Sequence, residues 1–168
     1  IEVLKNFHIM GINFQDIFSI TTKPIVFNLV IQEISKVIKE HKITKIVGIE
    51  SRGFLFGMAV SYRENLPFVP IRKSGKLPGK VSKIKYKLEY GHDIVEIQSS
   101  SIKKTDKLLL VDDLIATGGT AVASIKLLRK FNNKKIVSFF VIDLDNLKGS
   151  QLLKKQGTEV ISLYKTQG

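Results

Sequence analysis

The segment Leu108-Leu109-Leu110-Val111-Asp112-Asp113-Leu114-Ile115-Ala116-Thr117-Gly118-Gly119-Thr120 joins three unlike pieces. The apolar run Leu108–Val111 predicts a strand buried on both faces, as in a parallel sheet. Two carboxylates end it, and a loop of small residues then opens directly into a helix. In that loop Ala116, Thr117, Gly118, Gly119 and Thr120 carry little side-chain bulk. Backbone N–H groups and hydroxyls can converge there on an anion, with the helix N-terminus adding positive potential. Asp112 and Asp113 beside such a cradle suit sugar hydroxyls or an attendant magnesium ion. No Gly-Lys-Ser/Thr follows, so this is not a Walker loop, and the glycine spacing is wrong for a dinucleotide fingerprint. A lone Gly-Gly-Thr would mean no more than a capped helix with turn-forming aspartates; the complete unit points to phosphate chemistry.

Upstream, the spacing predicts a helix over Lys23–Lys42, with Thr21 or Thr22 as cap, Pro24 in the first turn, and Phe27, Val30, Ile31, Ile34, Val37 and Ile38 as one stripe. Ile43–Ile49 reads as a buried strand, Glu50-Ser51-Arg52-Gly53 as a turn, Phe54–Glu64 as a helix and Pro67–Ile71 as a strand. Downstream, a helix over Thr120–Phe131, a strand over Ile136–Ile142, a helix near Leu147–Lys155 and a strand over Glu159–Tyr164 complete the alternation. The fold class is therefore α/β, with a twisted, mainly parallel sheet flanked by helices. Ligands of such sheets bind beyond the carboxyl ends of the strands, here after Ile49, Ile71 and Val111. Val81–Gln98 breaks the rhythm: Ile84, Tyr86, Leu88 and Tyr90 alternate with Lys83, Lys85, Lys87 and Glu89, the signature of an antiparallel ribbon with one wet face. Gly75, Gly79 and Gly91 punctuate it, as in a mobile functional loop.

Composition bounds the rest. A chain of 168 residues, 43% of them hydrophobic, suits a single globular domain. There is no cysteine, which excludes disulfides and thiolate chemistry. No apolar run of about 18 residues is present, so no membrane span is expected. The start, Ile1-Glu2-Val3-Leu4-Lys5, has neither a signal-peptide pattern nor an initiator Met, so a few residues are expected to be missing or removed ahead of it. A cytoplasmic location is the expectation. Lys and Arg number 27 against 15 Asp and Glu, a net charge of +12. Such a balance fits nucleic acid, an anionic membrane surface or phosphate-rich small molecules. Arg72, Lys73, Lys76, Lys80, Lys83, Lys85 and Lys87 run without an intervening acid. His8, His41 and His92 lack metal-ligand spacing, and Tyr62, Tyr86 and Tyr164 read as packing residues.

The segment at Asp112–Thr120 resembles the phosphoribosyl diphosphate-binding motif of type I phosphoribosyltransferases. Glu50-Ser51-Arg52-Gly53-Phe54-Leu55-Phe56-Gly57, Ile71-Arg72-Lys73-Ser74-Gly75-Lys76-Leu77-Pro78-Gly79 and Tyr86-Lys87-Leu88-Glu89-Tyr90-Gly91 narrow the resemblance to the adenine phosphoribosyltransferase branch of that family. It covers essentially the whole chain as one domain, with an N-terminal hood over about residues 1–22 and a lid over about 74–98. The resemblance implies a purine-salvage reaction: phosphoribosyl diphosphate and adenine give AMP and pyrophosphate, with magnesium required and a homodimer as the assembly.

It also implies roles. Ala116, Thr117, Gly118, Gly119 and Thr120 would bind the 5′-phosphate. Asp112 and Asp113 would hold the ribose hydroxyls and the magnesium environment, the metal being carried mainly by substrate. Arg52, Arg72, Lys73 and Lys76 would surround the diphosphate. Glu89 would carry the proton at the base, although spacing alone favours a cross-strand ion pair with Lys85 or Lys87. Tyr90 is either lid packing or a reactant contact. Asn13, Phe14 and Gln15 of the hood, together with Ile115, would meet adenine. The hood departs from the family pattern, with His8 and Met10 where prolines are common and no Arg at position 15. Another purine base is the rival enzyme reading. A nucleic-acid-binding sensor is the rival outside enzymes, supported by charge alone and lacking a helix-turn-helix segment or aromatic platform; neither specific nucleic-acid binding nor membrane binding is expected.

Overall fold

The computed structural model describes residues 2–5, 13–87, 91–133 and 135–167. A short antiparallel pair, β1 (Glu2–Lys5) and β2 (Asn13–Asp16), precedes α1 (Phe18–Thr21) and α2 (Pro24–His41). Then follow β3 (Lys45–Ile49), α3 (Gly53–Glu64), β4 (Phe68–Lys73), β5 (Val81–Lys87) and β6 (His92–Gln98). The last part holds β7 (Leu108–Ile115), α4 (Gly119–Arg129), β8 (Ile136–Leu144), a 3-10 turn at Asp145–Leu147, α5 (Gly149–Lys154) and β9 (Glu159–Thr166). The main sheet runs β5-β6-β4-β3-β7-β8-β9. The five strands from β4 to β9 in that order are parallel, while β6 and β5 add to the edge antiparallel.

The apolar runs explain this arrangement. Leu108–Val111 and all nine residues of β8 are buried, as strands covered on both faces must be. One layer gathers Ile34, Ile38, Phe56 and Val60 of α2 and α3 against Leu109, Val111 and Phe139. The other gathers Ile125 and Leu128 of α4 and Leu153 of α5 against Leu108, Leu110 and Phe140. Of the predicted stripe of α2, Val30, Ile31, Ile34, Val37 and Ile38 are buried and Phe27 packs at the edge of the same cluster.

Several expectations are corrected. Thr21 and Thr22 do not cap α2; they end α1, where both hydroxyls donate to the Phe18 carbonyl at 3.2 and 3.0 Å, and Lys23 is the cap residue. The strand β7 does not stop at Val111. Its pairing with β8 continues through Leu114↔Ile142 and Ile115↔Asp143, so both aspartates sit inside the strand. The predicted helix near Leu147–Lys155 is divided at Lys148, whose φ is +58°. Tyr62 is 89% exposed and Tyr164 49% exposed, so neither packs inside this chain. The ribbon is antiparallel with Lys83, Lys85 and Lys87 on its exposed face, and β6 joins it to the main sheet by pairing with β4 through Arg72↔Glu96 and Lys73↔Val95.

Candidate active site

A cavity of about 720 Å³ opens at the carboxyl ends of β3 and β7, lined among others by Glu50, Asp112, Ile115 and the loop Ala116–Thr120. The loop is built by backbone contact. Gly118 has φ +81°, and a Cβ there would lie 2.9 Å from the Gly149 carbonyl oxygen. A Cβ at Gly149 would in turn overlap the carbonyl oxygen of Ala116 and approach the Gly118 nitrogen to 2.8 Å. The start of α5 therefore presses on the back of the loop and fixes its shape, leaving the N-terminus of α4 open to an anion. The Val122 N–H closes the first turn of α4 on the Gly118 carbonyl at 2.9 Å.

The two aspartates are placed differently. Asp112 lines the cavity, and its Oδ1 accepts the Asp113 backbone N–H at 2.9 Å. Desolvation at the cavity wall and the neighbouring Asp113 carboxylate push its pKa well above the usual carboxylate range. Asp113 is buried and its Oδ2 pairs with Arg52 Nε at 2.8 Å; burial raises its pKa, with the guanidinium opposing. Arg52 is the cap residue of α3, so this pair ties the helix start to β7.

A second group of charges gathers on Glu50, which follows β3. Its Oε1 accepts Lys76 Nζ at 2.7 Å and Arg72 Nη2 at 3.3 Å. Its Oε2 accepts the Lys73 backbone N–H at 3.0 Å and Arg72 Nε at 3.3 Å. Burial pushes the Glu50 carboxyl upward, but the hydrogen bonds from Lys76, Arg72 and the Lys73 N–H outweigh it and hold the pKa at about 2. The Glu50–Ser51 peptide bond is cis. Behind this group, buried Glu96 accepts the backbone N–H groups of Gly75, Lys76 and Leu77 at 2.9, 3.2 and 3.3 Å on Oε1, which pins the loop after β4.

A polar chain joins the two groups. Lys73 Nζ pairs with Asp93 Oδ2 at 3.0 Å, and Tyr86 donates to the same oxygen at 3.5 Å while meeting the Thr120 hydroxyl at 3.1 Å. Tyr86 thus links the ribbon to the phosphate-type loop and is more than the packing residue its spacing predicted. Lys130 Nζ donates to the Lys83 carbonyl at 2.7 Å and fixes the ribbon to the far end of α4.

The structure brings Asp112, Ile115 and Ala116–Thr120 to one cavity and sets Arg72 and Lys73 in an adjoining pocket that shares Glu50 and Thr120 with it. Lys76 reaches Glu50 from the following loop. Arg52 and Asp113 stand behind the cavity as an ion pair. Asn13, Phe14 and Gln15 lie on β2, where they pair in register with Lys5, Leu4 and Val3. Glu89 and Tyr90 lie outside the described residues. Sequence reasoning missed Glu50, Glu96 and Asp93: Glu50 stands in the turn after β3, Asp93 and Glu96 share β6, and only the fold sets them against cations and N–H groups from other elements. Among the described residues, no three His, Asp or Glu side chains converge as a metal cage, and no helix is long and apolar enough to cross a membrane.

Comparison with known proteins agrees with this geometry. A family model described as a phosphoribosyl transferase domain matches residues 18–165. An adenine phosphoribosyltransferase of Nitrosomonas eutropha is 44% identical over 163 residues, covering 97% of this chain and 94% of the relative. The crystal structure of adenine phosphoribosyltransferase from Thermoanaerobacter pseudethanolicus superimposes with a TM-score of 0.92 at 37% identity, over 99% of this chain and 95% of that one. The Giardia lamblia enzyme complexed with 9-deazaadenine superimposes with a TM-score of 0.93 at 34% identity, over 99% and 94% of the two chains.

Proposed function

The chain belongs to the phosphoribosyl transferase domain family, and from that premise we propose how its residues serve the reaction of the adenine branch. The reaction is purine salvage: a ribose phosphate is transferred to adenine, here as the 5-phosphoribosyl group of phosphoribosyl diphosphate moving to N9, with AMP and pyrophosphate as products. The observation that carries the reading is the cavity in which Asp112 stands beside the backbone-built loop Ala116–Thr120 at the start of α4.

The 5′-phosphate binds the loop through N–H groups of residues 117–120 and the hydroxyls of Thr117 and Thr120. Asp112, at the cavity wall, accepts from a ribose hydroxyl, and Asp113 holds Arg52 so that the turn after β3 keeps its shape beside the diphosphate. Arg72, Lys73 and Lys76 lie toward the leaving diphosphate. With bond breaking ahead of bond making at the anomeric carbon, most of the barrier is lowered by holding the departing charge and excluding water. The donor set suits magnesium that arrives on the substrate: Asp112 and Glu50 line the same cavity, yet no cage forms among the described residues. Asp112 would hold the ion beside the ribose hydroxyls, where, when bound, it neutralises diphosphate charge.

Glu89 carries the proton of the base near N7 as the lid over residues 74–98 closes, with Tyr90 on the same lid. The hood, residues 1–22, presents Asn13, Phe14 and Gln15 to adenine, with Ile115 against the ring. The chain acts as a homodimer in the cytoplasm. Ile25 and Leu29 of α2 and Leu55, Met58 and Tyr62 of α3 are 79%, 55%, 41%, 51% and 89% exposed on neighbouring helices, an apolar face suited to a second copy. Light scattering on the eluted protein should give twice the chain mass.

Incubation with phosphoribosyl diphosphate and magnesium should yield AMP from adenine and little nucleotide from hypoxanthine or guanine. No turnover with any purine, despite phosphoribosyl diphosphate binding, would favour a ligand sensor instead.

A further inference from the structure

Glu50 is the most heavily engaged side chain at the mouth of the site, and the reaction as described gives it no direct contact with the sugar or the base. It is an anion in a place meant for an anion: one carboxylate gathers the guanidinium of Arg72, the ammonium of Lys76 and the backbone N–H of Lys73. These donors come from the end of β4 and the loop after it, whereas Glu50 comes from the end of β3, 22 residues or more away in sequence. The side chain is only 12% exposed, while those of Arg72 and Lys76 are 33% and 49% exposed. The cations therefore keep faces open to solvent after Glu50 has taken its share. Arg72 is committed on one edge, with Nε and Nη2 on Glu50 and Nη1 on the Lys76 carbonyl at 3.2 Å; a guanidinium carries five N–H donors, so two remain.

We propose that Glu50 is a positioning residue that pre-assembles the diphosphate-binding cations in the empty enzyme, holding Arg72 and Lys76 side by side so that their remaining donors meet the diphosphate as a formed set. The inference rests on the phosphoribosyl transfer reading given above. Left alone, two neighbouring cations at the end of β4 and on the loop after it would repel and spread, and their ordering would be charged against substrate binding. Glu50 cancels that repulsion beforehand. Glu96 gives the same service to the backbone of the loop by accepting three consecutive N–H groups. A carboxylate that merely occupied the donors would have the opposite effect, because the diphosphate would have to expel it.

The test is Glu50→Gln, which keeps the shape and loses the charge. Wild-type enzyme must first form AMP from adenine; if it does not, the reaction reading fails and Glu50 is not at issue. With turnover established, Glu50→Gln should raise KM for phosphoribosyl diphosphate and weaken pyrophosphate binding by about tenfold, with KM for adenine nearly unchanged. Calorimetric pyrophosphate titration in the presence of magnesium gives the same comparison without turnover. On a Lys76→Met background the substitution should cost about threefold or less, because the set is already broken. Glu50→Asp, which retains charge with shorter reach, should fall between and serves if Glu50→Gln does not fold. Unchanged or tighter pyrophosphate binding in Glu50→Gln or Glu50→Asp would overturn the proposal, as would a full tenfold loss on the Lys76→Met background.

Discussion

The two sides of the cavity bind charge by different means. On the β7 side, the loop Ala116–Thr120 is shaped by backbone: Gly118 and Gly149 touch where no Cβ fits, and the anion is met by N–H groups at a helix start. On the β4 side, the loop after Lys73 is shaped by charge: Glu50 and Glu96 gather cations and N–H groups from elements distant in sequence. Backbone construction gives one rigid pocket that tolerates almost no added atom. Charge construction gives a set whose cations, Arg72 and Lys76, keep exposed faces for a leaving group.

In the proposed reaction neither side handles the proton, so Glu89→Ala should separate chemistry from both. We expect kcat to fall by about a hundred- to ten-thousandfold, with ribose 5-phosphate and pyrophosphate binding preserved in equilibrium titrations. Activity that survives the substitution would move the proton to another group. Gly149→Ala attacks the backbone side alone. It should displace the loop and lower kcat/KM for phosphoribosyl diphosphate by about a hundredfold. It should also lower stability by about 1–3 kcal/mol through overpacking, measured by urea unfolding.

The two sides should also answer oppositely to pH. The Glu50 carboxyl is held at about 2 against an ordinary 4.5. Between those values the unfolded chain binds more protons, so this contribution to stability grows as pH rises and is lost as pH falls through about 2. For Asp112 the pKa is raised from 3.8 by burial and Asp113. The folded chain there holds its proton longer, so this contribution declines as pH rises above the ordinary value. Urea midpoints from about pH 4 to about pH 7 should show Asp112→Asn gaining on the parent as pH rises; a constant difference between them would remove the raised pKa from the account. The smallest effect is expected at the link between the sides. Tyr86→Phe removes the contact with Thr120 and should cost about 1 kcal/mol of stability, with a modest rise in KM for phosphoribosyl diphosphate.

The same contrast governs what could be read from the chain. The backbone side was legible because steric necessity leaves a local imprint: a strand, then Ala-Thr-Gly-Gly-Thr, in thirteen consecutive residues. The parallel sheet was legible for a similar reason, since strands covered on both faces read as unbroken apolar runs. The boundary of β7 was not, because pairing to β8 carries polar Asp112 and Asp113 into the sheet against their local preference. Nor was the task of Glu50, whose partners Arg72 and Lys76 stand 22 and 26 residues away and meet it only through the β3–β4 register. Arg72 and Lys76 could be named as candidate anion ligands from the basic run and the family resemblance, but the carboxylate that groups them could not. Tyr86 shows the limit from another direction: alternation placed its ring on the inner face of the ribbon, while its hydroxyl's partner Thr120 belongs to α4.

The most direct test of a site built in two ways is to titrate its two anions separately. Ribose 5-phosphate and pyrophosphate with magnesium would each be added by calorimetry to wild type, Gly149→Ala and Glu50→Gln. The account predicts that Gly149→Ala loses ribose 5-phosphate and keeps pyrophosphate, while Glu50→Gln weakens pyrophosphate and keeps ribose 5-phosphate. Equal loss of both anions in either folded variant would contradict it.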